Sequence, residues 1–385
     1  MQGPMHVALC TDGVFPLAVG GMQRHSRLLA EHLARSGRVR LTVLHPHPVP
    51  QFDPALGIHE VHVPPIRTDK LYLKELWHYS GRMAERLDLL RPDVVLSQGF
   101  AVWRHIGRYS SRLVVNPHGL EMFQGISLKE RALGLPFRMV LRHIVRHSAR
   151  VVSLGGRLTT ILQGLVQGSK CRVAVVPNAV DVPNEPVAYP ALGGPLRLLF
   201  VGRFAFNKGL DVLMKVARRL EGHKGLEHVR FELAGDGPLL EEYKAEGLPA
   251  NVGLLGRVDD GTLFRLYEEC HALVLPTRFE GMPTVVLEAM ARARPVLVSD
   301  VGATAELVGP PNGFLLPKGD DEALYQAVSS LAEMDATALA RMGAASYALV
   351  SERFSWPSVT RTTIDLLYQV YDAAGPSPRD RSAIP

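Results

Sequence analysis

ALVLPTRFEGMPTVVLEAMARARPVLVSD, residues 272–300, reads as strand, loop, helix and strand. The runs ALVLP (272–276) and PVLVS (295–299) are apolar without alternation. Strands of that kind are covered on both faces, as in a parallel sheet flanked by helices. Between them, Pro283 suits a first helical turn and Gly281 lets the backbone approach a ligand closely. The N–H groups around Met282, Thr284 and Val285, with the positive end of the helix dipole, form an anion site suited to phosphate. Glu280 falls just before the helix and Glu288 roughly two turns inside it. Carboxylates so spaced suit vicinal hydroxyls on either side of a bound phosphate. The alternative is a plain helix start, with Glu280 beside the cap and Glu288 exposed.

Outward from this stretch the same alternation recurs. Apolar runs stand at 6–10, 39–44, 93–97, 113–117, 150–154 and 172–177, then at 196–202, 229–235, 252–256 and 313–317. Between two of them, Leu210, Leu213, Met214, Ala217 and Leu220 recur at helical spacing, with Lys215, Arg218 and Arg219 off the stripe. The segment PNEPVAYPALGGP (183–195) holds four prolines and two glycines and no periodic stripe, so it reads as a linker. The expected fold class is therefore α/β, with two doubly wound domains, 1–182 and 196–355. Their strand C-termini would face a shared cleft. A last helix is expected over 356–373, and the tail 374–385 reads as disordered.

A chain of 385 residues has room for two such domains, and its 46% hydrophobic and 21% charged content is ordinary for a globular protein. No apolar run approaches the ~18 residues of a membrane span. The opening MQGPMHVALC lacks the regions of a signal peptide, and Cys10, Cys171 and Cys270 lie far apart. A reducing, cytoplasmic setting is expected. The net charge of +5 combines +11 in residues 1–182 with −6 in 183–385, and twelve of the 15 histidines fall in the first part. A basic half is either a surface for something anionic or a solvated face.

Other segments carry candidate chemistry. In FVGRFAFNKGLDVL (200–213) a strand ends at Gly202 and a loop carries Arg203 and Lys208. A planar guanidinium and a compact ammonium together suit a diphosphate; a solvated basic loop is the alternative. In AVGGMQRHSRLLAEHLA (18–34), Gly20 and Gly21 open a helix and permit close approach to a substrate, although a plain strand-to-helix turn has the same look. NPHGLE (116–121) places His118 after a strand end, with Glu121 nearby. AGDGP (234–238) and PNAVD (177–181) read primarily as turns. No DxD, HExxH, CxxC, GxSxG, GK[ST] or GxGxxG occurs, so a metal-free reaction is the simpler expectation.

FEGMPTVVLE resembles the E-x7-E signature of retaining glycosyltransferases with the GT-B fold, specifically the family 4 group. GRFAFNKG, GDGP, PNAVD, PHG, the glycine pair at 20–21 and the terminal FSW (354–356) match in the family's order, from about residue 5 to 372. The resemblance implies two Rossmann-like domains, the second binding a UDP- or GDP-sugar and the first most of a carbohydrate or lipid-linked acceptor. It implies that the last helix crosses back to the first domain. Arg203 and Lys208 would hold the donor diphosphate, and Glu288 the ribose hydroxyls. Glu280 would hold the transferred sugar with backbone groups over Gly281, Met282, Pro283 and Thr284. His118 would contact that sugar, Gly21 would let a loop close on the phosphates, and Val258 in GRVDDGT (256–262) would lie beside the base. No cofactor, metal or nucleic acid is implied. One departure is SLGGRLTT (153–160), where the family often has a Ser/Thr-rich stretch with a more distal polar residue. The loops 45–75 and 119–136 match nothing assignable, which leaves the acceptor open.

FRMVLRHIVRHSAR (137–150) places Phe137, Val140, Leu141, Ile144 and Val145 at helical spacing. Arg138, Arg142, Arg146 and Arg150 follow four apart on a neighbouring face. Such a helix either lies peripherally on an anionic membrane or packs in the first domain. Two rival functions fit the same sequence: a sugar-nucleotide epimerase, and a non-catalytic protein that binds through its basic surface.

Overall fold

The computed structural model describes residues 4–18, 20–67, 71–124 and 128–375. Contacts divide the chain into two compact units. The first runs to Asn178 and resumes at Trp356; the second is Ala179–Ser355.

The first unit is built on seven strands: β1 (Met5–Cys10), β2 (Val39–His45), β3 (His59–His62), β4 (Val94–Gln98), β5 (Leu113–Asn116), β6 (Arg150–Ser153) and β7 (Arg172–Val175). They pair in parallel in the order β3-β2-β1-β4-β5-β6-β7. Every residue of β1, β4 and β5 is buried, the physical reason for their unbroken apolar runs. The helices α1 (Gly21–Arg35), α2 (Tyr72–Leu90), α3 (Leu128–Arg146) and α4 (Gly156–Val166) connect them.

The second unit holds β8 (Leu196–Val201), β9 (Val229–Ala234), β10 (Val252–Gly256), β11 (Ala272–Leu275), β12 (Val296–Ser299) and β13 (Gly313–Leu316), all parallel, in the order β10-β9-β8-β11-β12-β13. Its helices are α5 (Leu210–Glu221), α6 (Leu240–Glu246), α7 (Asp260–Glu269), α8 (Thr284–Ala291), α9 (Asp321–Ala332) and α10 (Ala336–Arg353). On α5 the expected stripe, together with Val212 and Val216, is buried. Fully burying a leucine contributes about 2 kcal/mol, so such a face fixes a helix on its sheet. Asp259, Asp320 and Asp335 cap α7, α9 and α10, each accepting a backbone N–H with its side chain.

Both sheets reverse strand order once, between β1 and β4 in the first and between β8 and β11 in the second. Ligands of doubly wound sheets bind at the strand carboxyl ends beside such a reversal. The loops after β8 and β11 are those that carry Arg203, Lys208 and Glu280.

The last helix, α11 (Trp356–Ala374), belongs to the first unit. Trp356 is buried and stacks on His32 of α1, with ring centroids 4.8 Å apart, and the Tyr368 hydroxyl donates to the Arg38 carbonyl. The segment read as a linker is fastened along the second unit. Tyr347 donates to the Pro183 carbonyl, Arg294 to that of Ala188, and the Tyr189 hydroxyl to that of His271. The unit boundary itself falls earlier, at Asn178–Ala179. Residues 376–385, most of the expected tail, lie outside the described residues. β3 escapes sequence reading because His-Glu-Val-His is an edge strand without a buried face.

Candidate functional site

The second unit gathers Arg203, Lys208, Val258, Glu280 through Thr284, and Glu288. His118 and Gly21 belong to the first unit. Lys208 ends a single 3-10 turn, Phe206–Lys208, and is followed by Gly209 at φ 70°. A Cβ at Gly209 would stand 1.8 Å from the Pro276 carbonyl oxygen, so only glycine lets the β8 loop lie against the β11 loop. Across that contact Lys208 Nζ donates to Glu280 Oε1 at 2.5 Å. The fully buried Thr277 hydroxyl lies 3.3 Å from the same oxygen and 3.0 Å from the Asn207 carbonyl.

Arg278 ties the two loops together. Its guanidinium reaches both carboxylate oxygens of Asp211, at 2.6 and 2.7 Å, and the Phe206 carbonyl at 2.8 Å. Its backbone N–H donates to the Asn207 carbonyl, and its side chain lies over the Phe206 ring. Burial raises the Asp211 carboxyl, but the hydrogen bonds and charge of Arg278 outweigh it and hold the group below its ordinary range. Arg203 is exposed and has no side-chain partner among the described residues.

Pro283 is the residue that caps α8 rather than one in its first turn, since its ψ of 118° is extended. Val286 donates its N–H to the Pro283 carbonyl, while Thr284 and Val285 precede the first intrahelical bonds. Gly302, at φ 56°, backs this loop. A Cβ there would stand 2.1 Å from the Glu280 carbonyl oxygen, and Ala303 donates to the Gly281 carbonyl. Glu288 lies just over one turn into α8, not two, because the helix starts at Thr284. The buried Tyr267 of α7 donates to Glu288 Oε2 at 2.9 Å, and its own phenol is pushed well up by burial and by that carboxylate. Val258 is half-buried between the end of β10 and the cap of α7. The turn at Gly235–Gly237 props the Arg203 loop, with Phe204 donating to the Asp236 carbonyl.

In the first unit His118 stands past the carboxyl end of β5 at φ 60°, its N–H held by Asn116 Oδ1. Its Nε2 lies 2.6 Å from Gln98 Oε1, and its ring is edge-on to that of His25, 5.1 Å away. Burial, then the neighbouring His25, pushes His118 well below the ordinary histidine range, so its ring is neutral at physiological pH. Gly21 heads α1, and a Cβ there would meet nothing within 4 Å. Glu121 is exposed on a single 3-10 turn.

The arginine row of the 137–150 segment does not form one free face. Arg138 turns back to the Arg131 carbonyl and lies over Phe123, Arg146 donates to the Gln167 carbonyl, and Arg142 alone of these three is exposed. The helix begins earlier than expected and stops at Arg146; Arg150 opens β6. Among the described residues no helix is long and apolar enough to cross a membrane.

Sequence reasoning missed Thr277, Arg278, Asp211, Tyr267 and Gln98. Their signal is spatial: Arg278 meets a carboxylate 67 residues away, and Tyr267 one 21 residues away.

Two Rossmann-like units, the second carrying cations, a helix start and two carboxylates at its strand reversal, define a GT-B glycosyltransferase. The chain matches Glycosyltransferase Family 4 over residues 19–183 and Glycosyl transferases group 1 over residues 195–334, and it belongs to that family. Glycogen synthase of Mycobacterium tuberculosis is 27% identical over 295 residues, covering 74% of this chain and 69% of that enzyme. Among solved structures, sucrose-phosphate synthase from Thermosynechococcus elongatus superposes with a TM-score of 0.76 at 19% identity, over 96% of this chain and 100% of the other. Anabaena HepE in complex with UDP and glucose gives 0.65 at 17% identity, over 95% and 99%.

Proposed function

We propose that the protein is a retaining, metal-independent glycosyltransferase that moves a hexose-like unit from a UDP- or GDP-sugar to an acceptor hydroxyl in glycan synthesis. The observation that carries this reading is the Lys208–Glu280 pair, held beside the start of α8 at the strand reversal of the second sheet. Breaking a sugar–phosphate bond develops negative charge on the diphosphate and positive charge at the anomeric carbon. Lys208, the exposed Arg203 and the N–H groups of Thr284 and Val285 are the fixed positive groups that meet the former, in the place a metal ion would otherwise take. Glu280 holds hydroxyls of the transferred sugar, and Glu288, steadied by Tyr267, holds the ribose.

Within the second unit Val258 lies beside the base. Retention follows a front-face path in which the leaving phosphate takes the acceptor's proton, so no enzyme nucleophile is needed. An epimerase would convert the nucleotide sugar with no acceptor present, which separates the two readings in one assay.

The experiment is thermal stabilisation by a panel of nucleoside diphosphates and nucleotide sugars without metal. A ligand at 100 times its dissociation constant adds about 2.7 kcal/mol. A shift with one base supports the donor site; no shift with any nucleotide overturns it.

A further inference from the structure

On the first unit, the segments after β3 and β4 and residues 75–85 of α2 line an open cavity of about 670 Å³. Arg67, Arg82, Arg104 and His78 line it together with Glu75, and Glu85 adds a second carboxylate. Pro64, Pro65 and Arg67 follow β3 and Arg104 follows β4, so these parts of its lining leave the sheet at strand carboxyl ends, the ligand side of a doubly wound sheet.

This wall is built rather than incidental. Arg104 is held at its backbone, where its N–H and that of Trp103 both donate to Ser80 Oγ. Its guanidinium lies over the Trp77 ring. Its side chain crosses α2 at Gly81, where a Cβ would stand 3.0 Å from Arg104 Cδ and 3.1 Å from Nη1. Glycine inside a helix costs about 1 kcal/mol relative to alanine, and here it leaves the seat for this arginine. Arg82 is braced by donating to the Pro64 and Pro65 carbonyls through Nε and Nη2. Glu75 is only 7% exposed and has no side-chain partner among the described residues. Its place in the first turn of α2 eases the charge, but a buried carboxylate otherwise takes hydrogen-bond donors.

Guanidinium groups suit an oxyanion, and phosphate in particular. A carboxylate oxygen accepts, so Glu75 at the cavity wall suits hydroxyl donors of the same ligand. We infer that this cavity binds a phosphate ester carrying free hydroxyl groups, with Arg104 and Arg82 on the phosphate and Glu75 on a hydroxyl. Assigning that ester to the acceptor rests on the glycosyltransferase reading; its binding does not.

The test uses the full chain with glycerol 3-phosphate, inorganic phosphate and phosphatidylglycerol vesicles, by calorimetry and co-sedimentation. Arg104→Gln should weaken glycerol 3-phosphate at least tenfold while nucleoside diphosphate affinity, a property of the second unit, is kept. Glu75→Leu should lower the ratio of glycerol 3-phosphate to phosphate affinity at least fivefold. Vesicle binding that Arg104→Gln abolishes identifies a lipid headgroup, whereas binding of the soluble ester alone identifies a free one. The inference is overturned if the parent binds none of the three, or if Arg104→Gln binds them as the parent does. Loss of nucleotide binding by the parent would sink the donor site and leave this cavity standing.

Discussion

Lys208 Nζ and Glu280 Oε1 stand 2.5 Å apart, joining the loop after β8 to the loop after β11. Both side chains are largely covered, so the ammonium is pre-positioned before any ligand arrives. Charge that develops on a leaving phosphate is stabilised most by donors that need not reorganise. Lys208→Ala should therefore cut turnover at saturating donor by roughly 10²-fold, by analogy with removal of one preorganised donor elsewhere. Near-normal turnover would remove the role assigned to this lysine.

Tyr267 and Glu288 make a second relationship with a separate readout. Tyr267→Phe keeps the buried ring and deletes only the hydrogen bond to Glu288 Oε2. A hydrogen bond to a charged group contributes about 1.5–3 kcal/mol, so loss of orientation should weaken nucleoside diphosphate binding by roughly tenfold. Glu288→Ala should weaken it further. Calorimetry on both variants checks this, and unchanged affinity would dissociate Glu288 from the ribose.

Much of the fold and of the candidate site was legible in sequence because the residues sit in short motifs. The twelve apolar runs of 5–7 residues all became strands, those at the sheet centres being covered on both faces, and β3 hid because an edge strand need not be apolar. Glu280 and Glu288 flank one helix start as their spacing predicts, although Glu288 lies one turn in rather than two. Arg278, Thr277 and Tyr267 did not, since nothing in a linear pattern tells which carboxylate an arginine or a tyrosine will face. The row Arg138, Arg142 and Arg146 shows the converse: the helical spacing is real, yet backbone carbonyls of Arg131 and Gln167 capture two of the three.

Arg278 is the brace that sets the Lys208 loop. Its bidentate pair with Asp211 is partly covered, with the arginine side chain only 11% exposed. Arg278→Ala should leave Asp211 unpaired and destabilise the second unit by about 1 kcal/mol, a modest cost because solvent screens a carboxylate that is 38% exposed. The double variant Arg278→Ala with Asp211→Ala should lose less, because no unpaired charge remains. Arg278→Lys keeps the charge but not the fork and should lower kcat more than stability. Denaturant unfolding alongside steady-state rates separates these outcomes. Equal destabilisation by the single and double variants would count against the pairing.

In the first unit the rings of His32, Trp356, His25 and His118 form a continuous series, with His25 between Trp356 at 5.6 Å and His118 at 5.1 Å. Burial lowers His25 from its ordinary value to about 4. Between that value and the unfolded one near 6.5, the unfolded chain binds the extra proton, so stability rises with pH across this window. A difference of that size corresponds to roughly 3 kcal/mol, present above pH 6.5 and lost as pH falls toward 4. His25→Phe should keep the ring contacts and flatten the acid limb of the first unit by about that amount. Urea unfolding at several pH values between 4.5 and 7 measures it. A variant whose stability falls with acid as steeply as the parent's would show that His25 is not buried as the neutral ring.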